Sequence, residues 1–326
     1  MYPFVRGAAF AVLLFGMLTQ GPLALGQDGD KPVAKKKSAA KTSAEKKSFT
    51  DFRSAMSFAY DARQAGKLKK SRNALEAALE LATKQRERCD AHRMLVSVYP
   101  ETQQPQKMYE SAEYIIANAP YPAFASLTVR SMLAIVQRKG LEEETVQRYA
   151  KQLEEKPNNR PTIEINEQIA YLVQGNHKRR GELLQRLIDL DKAEGKEVDP
   201  ELFSNRAFAY RLDHEYVKAA QLYESTSLLS KDLYSHSMAE AAVCWKKADN
   251  ADKSLAAAMN AHSAGPGKKS RSSLYQYHRK LADLFLVFKK RDEAIHHFEL
   301  ALAESPIDAY KKQCQEMLGV AKALKE

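Results

Sequence analysis

The chain has 326 residues, of which 44% are hydrophobic and 28% charged, and a formal net charge of +10, so it has apolar mass enough for a core and a clear basic excess. Its 13 glycines and 12 prolines are few for this length, which points to helix throughout, and its negative mean hydropathy excludes a polytopic membrane protein. Three cysteines exclude a disulfide scaffold.

Residues 1–26 carry Arg6, an apolar run from Ala8 to Leu18, a break at Pro22, and small residues at Ala24 and Gly26. This layout predicts a secretory signal peptide. The run is too short to cross a hydrocarbon layer of about 30 Å as a helix. Cleavage after Gly26 is the expected outcome, with an uncleaved amphipathic anchor as the alternative; no cysteine follows the run, so a lipoprotein is not expected. Residues 27–48 are predicted to be a disordered Lys/Ala-rich linker, because Lys31 to Lys47 hold seven lysines against one glutamate and little apolar surface to offset ordering entropy. More than half of the net charge lies there. Behind an export signal nucleic acid is not an expected partner. Either a plain solvated linker or a contact with an anionic envelope surface, lipid headgroup or polymer, fits the segment. Cys89, Cys244 and Cys314 are far apart and read as small buried hydrophobes. No asparagine begins a glycosylation sequon, which fits a bacterial envelope, periplasmic or extracellular.

From residue 49 onward the pattern is periodic. Prolines from Pro122 recur near multiples of a 34 to 40 residue unit, which predicts helical pairs separated by proline-containing loops. The first unit, about 52–85, offers Phe58, Ala59 and Ala62, a turn from Gly66 to Ser71, then Leu75 and Ala78. Units 86–119 and 127–160 keep the period with fewer matching residues. Unit 161–194 places Ile169, Tyr171, Gly175, Leu184 and Leu187 at corresponding steps. Unit 200–233 offers Phe203, Ala207 and Tyr210, then Tyr216, Ala219 and Tyr223; unit 235–268 offers Met238, Ala242 and Trp245, then Ser254, Ala258, Ala261 and Pro266. The clearest unit, 275–306, has Leu281, Ala282 and Phe285 on one helix and Ala294, Phe298 and Ala301 on the next, closed by Pro306. Steps of three and four put these on one face of each helix, and the alternation of small and bulky residues suits close crossing. A last stripe of Ile307, Tyr310, Cys314, Leu318, Ala321 and Leu324 predicts a terminal helix with one apolar and one wetted face.

These residues resemble the tetratricopeptide repeat (TPR) family. The turn glycine is replaced near His214 and Lys289, and the Trp and Leu-Gly of the family's first helix are absent. The resemblance implies an all-α, right-handed α-α superhelix of about six or seven hairpins over residues 49–326 with a C-terminal capping helix. It also implies a concave side lined by first helices. On that side the spacing places Tyr60, Arg63, Asn205, Phe208, Arg211, Lys246, Lys247 and Arg279, an aromatic and basic lining suited to another protein or a peptide segment. The family's clamp for C-terminal carboxylates needs a Lys and an Asn one turn apart on one first helix, which this chain lacks.

Catalytic patterns are not found. Gly265 to Ser270 lacks the upstream glycine and preceding strand of a phosphate loop. His296 and His297 point about 100° apart on a helix and read as solvent-facing rather than as metal ligands. Glu142, Glu143 and Glu144 read as a helix start, where negative charge complements the dipole. No cofactor, metal or enzymatic activity is expected. The leading expectation is an exported, non-catalytic scaffold for protein–protein interaction in a bacterial envelope; the alternative is a polyanion- or membrane-surface-binding protein that uses the Lys-rich tail, with the repeats as a spacer.

Overall fold

The computed structural model describes residues 48–267 and 269–324, and every regular element among them is helical. The expected signal peptide and most of the Lys/Ala-rich linker lie outside the described residues. The helices are α1 Phe52–Gln64, α2 Leu68–Leu81, α3 Gln85–Val98, α4 Pro105–Asn118, α5 Pro122–Lys139, α6 Glu142–Glu155, α7 Arg160–Leu172 and α8 His177–Ala193. They continue as α9 Pro200–Leu212, α10 Tyr216–Leu229, α11 Lys231–Lys247, α12 Ala251–Ala264, α13 Arg271–Val287, α14 Arg291–Glu304 and α15 Asp308–Lys322. A 3-10 turn, Pro100–Thr102, lies between α3 and α4. Successive helices pack on their chain neighbours, giving seven hairpins and a final single helix, a TPR-like superhelical repeat.

Each hairpin turn contains one residue in the left-handed region: Gly66, Gln103, Gly140, Gly175, His214, Asp249 and Lys289, at intervals of 35 to 40 residues. In six of the seven turns the following N–H returns to a carbonyl five residues back. Lys67 reaches Ala62 at 2.8 Å, Gln104 reaches Tyr99 at 2.9 Å, Leu141 reaches Val136 at 3.0 Å, and the last three repeat this between 2.8 and 2.9 Å. This bond satisfies a carbonyl that the ending helix leaves without a partner. The turn between α7 and α8 is one residue longer, with Asn176 N–H on Ala170 O at 2.8 Å.

Five residues past the left-handed position the second helix crosses the first, and small side chains recur there: Ser71, Thr145, Ala219, Ser254 and Ala294. Ser71 Oγ donates to Ala59 O and Ser254 Oγ to Ala242 O, both at 2.7 Å. The prolines act at helix starts. Pro105, Pro122, Pro161 and Pro200 occupy the first turn of α4, α5, α7 and α9, where a missing N–H costs no hydrogen bond. Three helices begin several residues before the units read from apolar spacing: α5 at Pro122, α11 at Lys231 and α13 at Arg271. A cap sets the boundary of α13, where Ser270 accepts the Ser273 N–H, and Pro122 in the first turn sets that of α5; α11 starts after Ser230 with no side-chain cap bond.

First helices form a common layer: α3 meets α5, α5 meets α7, and α11 meets α13. The core runs through this layer in two large clusters. One spans α1 to α7, the other α9 to α15, and a smaller group around Leu153, Ile163, Leu184 and Leu187 lies between. Hairpin α5/α6 is the irregular one, since α6 lies mainly against α7 and barely touches α5. A cleft of about 420 Å³ opens beside it among α6, α7 and α8.

The cap helix α15 buries Cys314 and Ala321 and stacks Tyr310 on Tyr275, with ring centroids 5.1 Å apart and planes 4° apart. Ile307, expected on its apolar stripe, is instead 48% exposed, because it is the extended N-cap residue and falls outside the helical register. All three cysteines are buried and unpaired.

Candidate protein-docking face

The expected lining residues divide into two groups. Tyr60, Arg63, Asn205, Lys246 and Lys247 are exposed on first helices α1, α9 and α11. Lys246 and Lys247 occupy the last turn of α11, where cations complement the helix dipole, and the Lys247 ammonium lies 5.2 Å from the Tyr216 ring centroid. Phe208, Arg211 and Arg279 are partly buried and already engaged within the fold. Arg279 Nε meets both carboxylate oxygens of Asp283, at 3.1 and 3.0 Å, and its guanidinium lies 5.6 Å from the Phe298 ring centroid.

Phe208 is the middle of a ladder that crosses five helices, α7, α8, α9, α11 and α13. Its ring meets Tyr171 of α7 edge-on, with centroids 6.1 Å apart, and the guanidinium carbons of Arg180 and Arg211 lie 5.5 and 4.8 Å from its centroid. Arg180 of α8 is 4% exposed and packs 3.9 Å from the Tyr171 ring centroid, and its Nε donates to Glu167 Oε1 at 2.6 Å. Its Nη1 is buried without a hydrogen-bond partner. On the far side Arg211 is paired with Glu240 of α11, which also accepts from Lys280 Nζ of α13 at 2.5 Å. Burial pushes the Glu240 carboxyl up, but Lys280 and Arg211 outweigh it and hold the group below the ordinary carboxylate range.

Tyr60 is the one aromatic residue among the exposed members, Phe208 is partly buried, and the cations of the ladder and Arg279 are in part neutralised by Glu167, Glu240 and Asp283. No motif in the sequence marks Arg180, Glu167, Glu240 or Lys280. Glu240 stands 29 residues from Arg211 and 40 from Lys280, so only a repeat register aligned to the residue would have joined them.

Other candidates fall out differently. Glu142 to Glu144 form the first turn of α6, as expected. The Gly265–Ser270 loop has left-handed Gly265 and Gly267, and Ser270 caps α13; Lys268 lies outside the described residues. His296 is exposed, but His297 is not solvent-facing, being 2% exposed. Ala294, His297, Phe298 and Ala301 follow steps of three, one and three, which is the buried stripe of α14. Among the described residues, no group of three or more His, Cys, Asp or Glu is placed to hold a metal ion.

Seven hairpins, one left-handed residue per turn and a shared layer of first helices define an α-helical repeat protein of TPR-like form. No family model and no curated protein matches the chain. Solved structures with a similar fold include a tetratricopeptide repeat protein from Parabacteroides merdae, at 12% identity over 83% of this chain and 98% of that one, with a TM-score of 0.42. The C-terminal part of a TPR repeat-containing protein from Cytophaga hutchinsonii matches at 16% identity over 82% and 99%, with a TM-score of 0.46. The TPR2AB domain of yeast Sti1, in a complex with pHSP90, matches at 12% identity over 83% and 98%, with a TM-score of 0.30.

Proposed function

We propose that this chain is an exported, non-catalytic scaffold that docks partner proteins in a bacterial envelope through the exposed face of its first helices. The observation that carries this reading is the exposure of Tyr60, Arg63, Asn205, Lys246 and Lys247 on first helices, while the ladder from Tyr171 to Lys280 ties neighbouring hairpins together. An exposed ring, an exposed amide and exposed cations suit an extended or helical protein segment. The export part of the reading is supported by Arg6 and the apolar run from Ala8 to Leu18.

The ladder also decides where to test. Replacing Arg211 or Arg279 breaks an ion pair of the fold, so loss of docking there could not be separated from loss of structure. Photo-crosslinking residues placed at Asn205 and Lys246 should yield discrete protein adducts in the periplasmic fraction of the producing bacterium, whereas Gln221 on second helix α10 should yield none. Equal labelling from Gln221, or no adduct from Asn205 and Lys246, defeats the docking reading. Adducts confined to the cytoplasm defeat the export reading alone.

A further inference from the structure

Five of the chain's eight histidines, His236, His262, His278, His296 and His297, lie on α11 to α14. Three of them form a chain: His262 Nδ1 is 2.9 Å from His297 Nε2, and His297 Nδ1 is 2.9 Å from His278 Nδ1. His297 and His278 are 2% and 5% exposed. The His297 ring lies nearly parallel to Phe285, with planes 17° apart and centroids 5.6 Å apart, and Tyr277 meets both imidazoles edge-on. A neutral imidazole has one N–H and one lone pair, so three neutral rings satisfy the chain with every proton pointing the same way along it. One added proton on His297 keeps the hydrogen bonds but buries a charge among aromatic rings, and a second puts like charges 2.9 Å apart.

The surroundings offer little to offset such a charge. From α11 come His236, whose ring faces Tyr277, and Glu240, which is already held by Arg211 and Lys280. From α12 comes His262. From α13 come Tyr275, Tyr277, Arg279 and Lys280, and Arg279 is tied to Asp283. From α14 come His296 and Glu304, and Glu304 is the one carboxylate that acts on His278; Lys269, in the loop before α13, acts on His236. No carboxylate is among the groups acting on His297.

We propose that this buried imidazole chain makes α12 to α15 an acid-releasable end of the solenoid, closed at neutral pH and opening as the pH falls through the ordinary histidine range. The proposal goes beyond the docking reading and stands without it. Burial lowers His297 to about 3, with His278, His262 and His296 adding to the effect, and burial lowers His278 to about 4. Once opened, each ring returns to an ordinary value near 6.5. The open form then binds more protons than the closed form between about pH 6.5 and these lowered values, so stability falls on acidification by about tenfold per pH unit for each imidazole. Glu240 acts elsewhere on the scale. Its carboxyl is held low, so the stability it contributes is present above the ordinary carboxylate value and is lost only below it. Repeat stacks interact mainly between neighbours, so the last hairpins can open while the first stay closed. The first half has one comparable group, His92, which burial lowers to about 4 beside Ser111 and Tyr114.

Amide exchange on the full chain, corrected for intrinsic rates, tests this. Protection of α12 to α14 should fall by about 100-fold per pH unit between about pH 6 and about pH 5, and that of α1 to α4 by about tenfold at most. His297→Phe and, separately, His278→Phe should each cut the first slope to about tenfold per unit, whatever either does to stability at neutral pH. Equal slopes in the two regions of the wild type, or unchanged slopes in both variants, would overturn the proposal. Zinc(II) slowing this exchange at neutral pH, with the effect lost in His297→Phe, would assign the rings to metal holding and overturn it as well.

Discussion

The core of α1 to α7 and the core of α9 to α15 fill similar hairpins by different means. The first uses Leu75, Leu95, Met108, Ile115, Met132, Leu133 and Val136, flexible or branched aliphatic side chains with Tyr109 and Tyr149 among them. The second is built on alanines, including Ala207, Ala219, Ala241, Ala242, Ala258, Ala282 and Ala294, set against Tyr223, Trp245, Phe285 and Phe298. Aliphatic side chains of middle size can be exchanged and repacked, so the first solution constrains sequence loosely. The second brings backbones together at alanine and fills the remaining gaps with rings, so each position has one acceptable size.

The largest expected effect comes from forcing volume into the alanine core. Ala242→Leu should cost about 3 kcal/mol, while Met132→Leu in the first half should cost less than about 1.5 kcal/mol, both by urea unfolding. Equal costs would erase the distinction between the halves. A smaller effect should be the same in both. Ser71→Ala and Ser254→Ala remove the same hydroxyl-to-carbonyl bond, made at 2.7 Å in each half, and should each cost about 1 kcal/mol. A marked inequality would show that the surrounding core, rather than the bond, sets the loss. The smallest effect has the opposite sign. Gln103 at φ 59° and Asp249 at φ 56° occupy a conformation in which a Cβ is crowded, so Gln103→Gly and Asp249→Gly should each raise stability by roughly 0.5 kcal/mol, the relief of strain being offset in part by glycine's extra freedom when unfolded. Thermal unfolding of the two variants measures it, and a loss at either site would mean that its side chain contributes more than the backbone strain takes away.

This contrast also explains what could be read in advance. The alanine–ring alternation of residues 200–233 and 275–306 is visible because only one arrangement of sizes fits, and the terminal helix follows from its stripe. Gly66 marks its turn by residue type, and the resemblance puts turn positions near His214 and Lys289; Gln103 lies in the stretch with fewer matching residues, and its side chain does not announce a left-handed backbone. The start of α13 lies ahead of its apolar pattern because the cap Ser270, rather than an apolar residue, begins the helix. The 100° between His296 and His297 argues against a shared metal but does not make both solvent-facing: the steps of His297 from Ala294 and to Ala301 put it on the buried stripe. Of the candidate face, helical spacing alone places Tyr60, Arg63, Asn205, Lys246 and Lys247 on exposed positions of first helices. The Arg211–Glu240–Lys280 triad is not legible there, since its members come from three hairpins and meet only once the stack is formed.

The cysteines carry a practical consequence. Cys89, Cys244 and Cys314 lie on different helices with no exposed surface, and burial pushes the Cys244 thiol up to about 12. Burial also raises the Cys89 thiol, and no reagent reaches a sulfur with no exposed surface, so the folded chain resists alkylation and cross-linking by oxidants. One cysteine introduced on the surface therefore becomes a selective labelling handle, with the native three left in place.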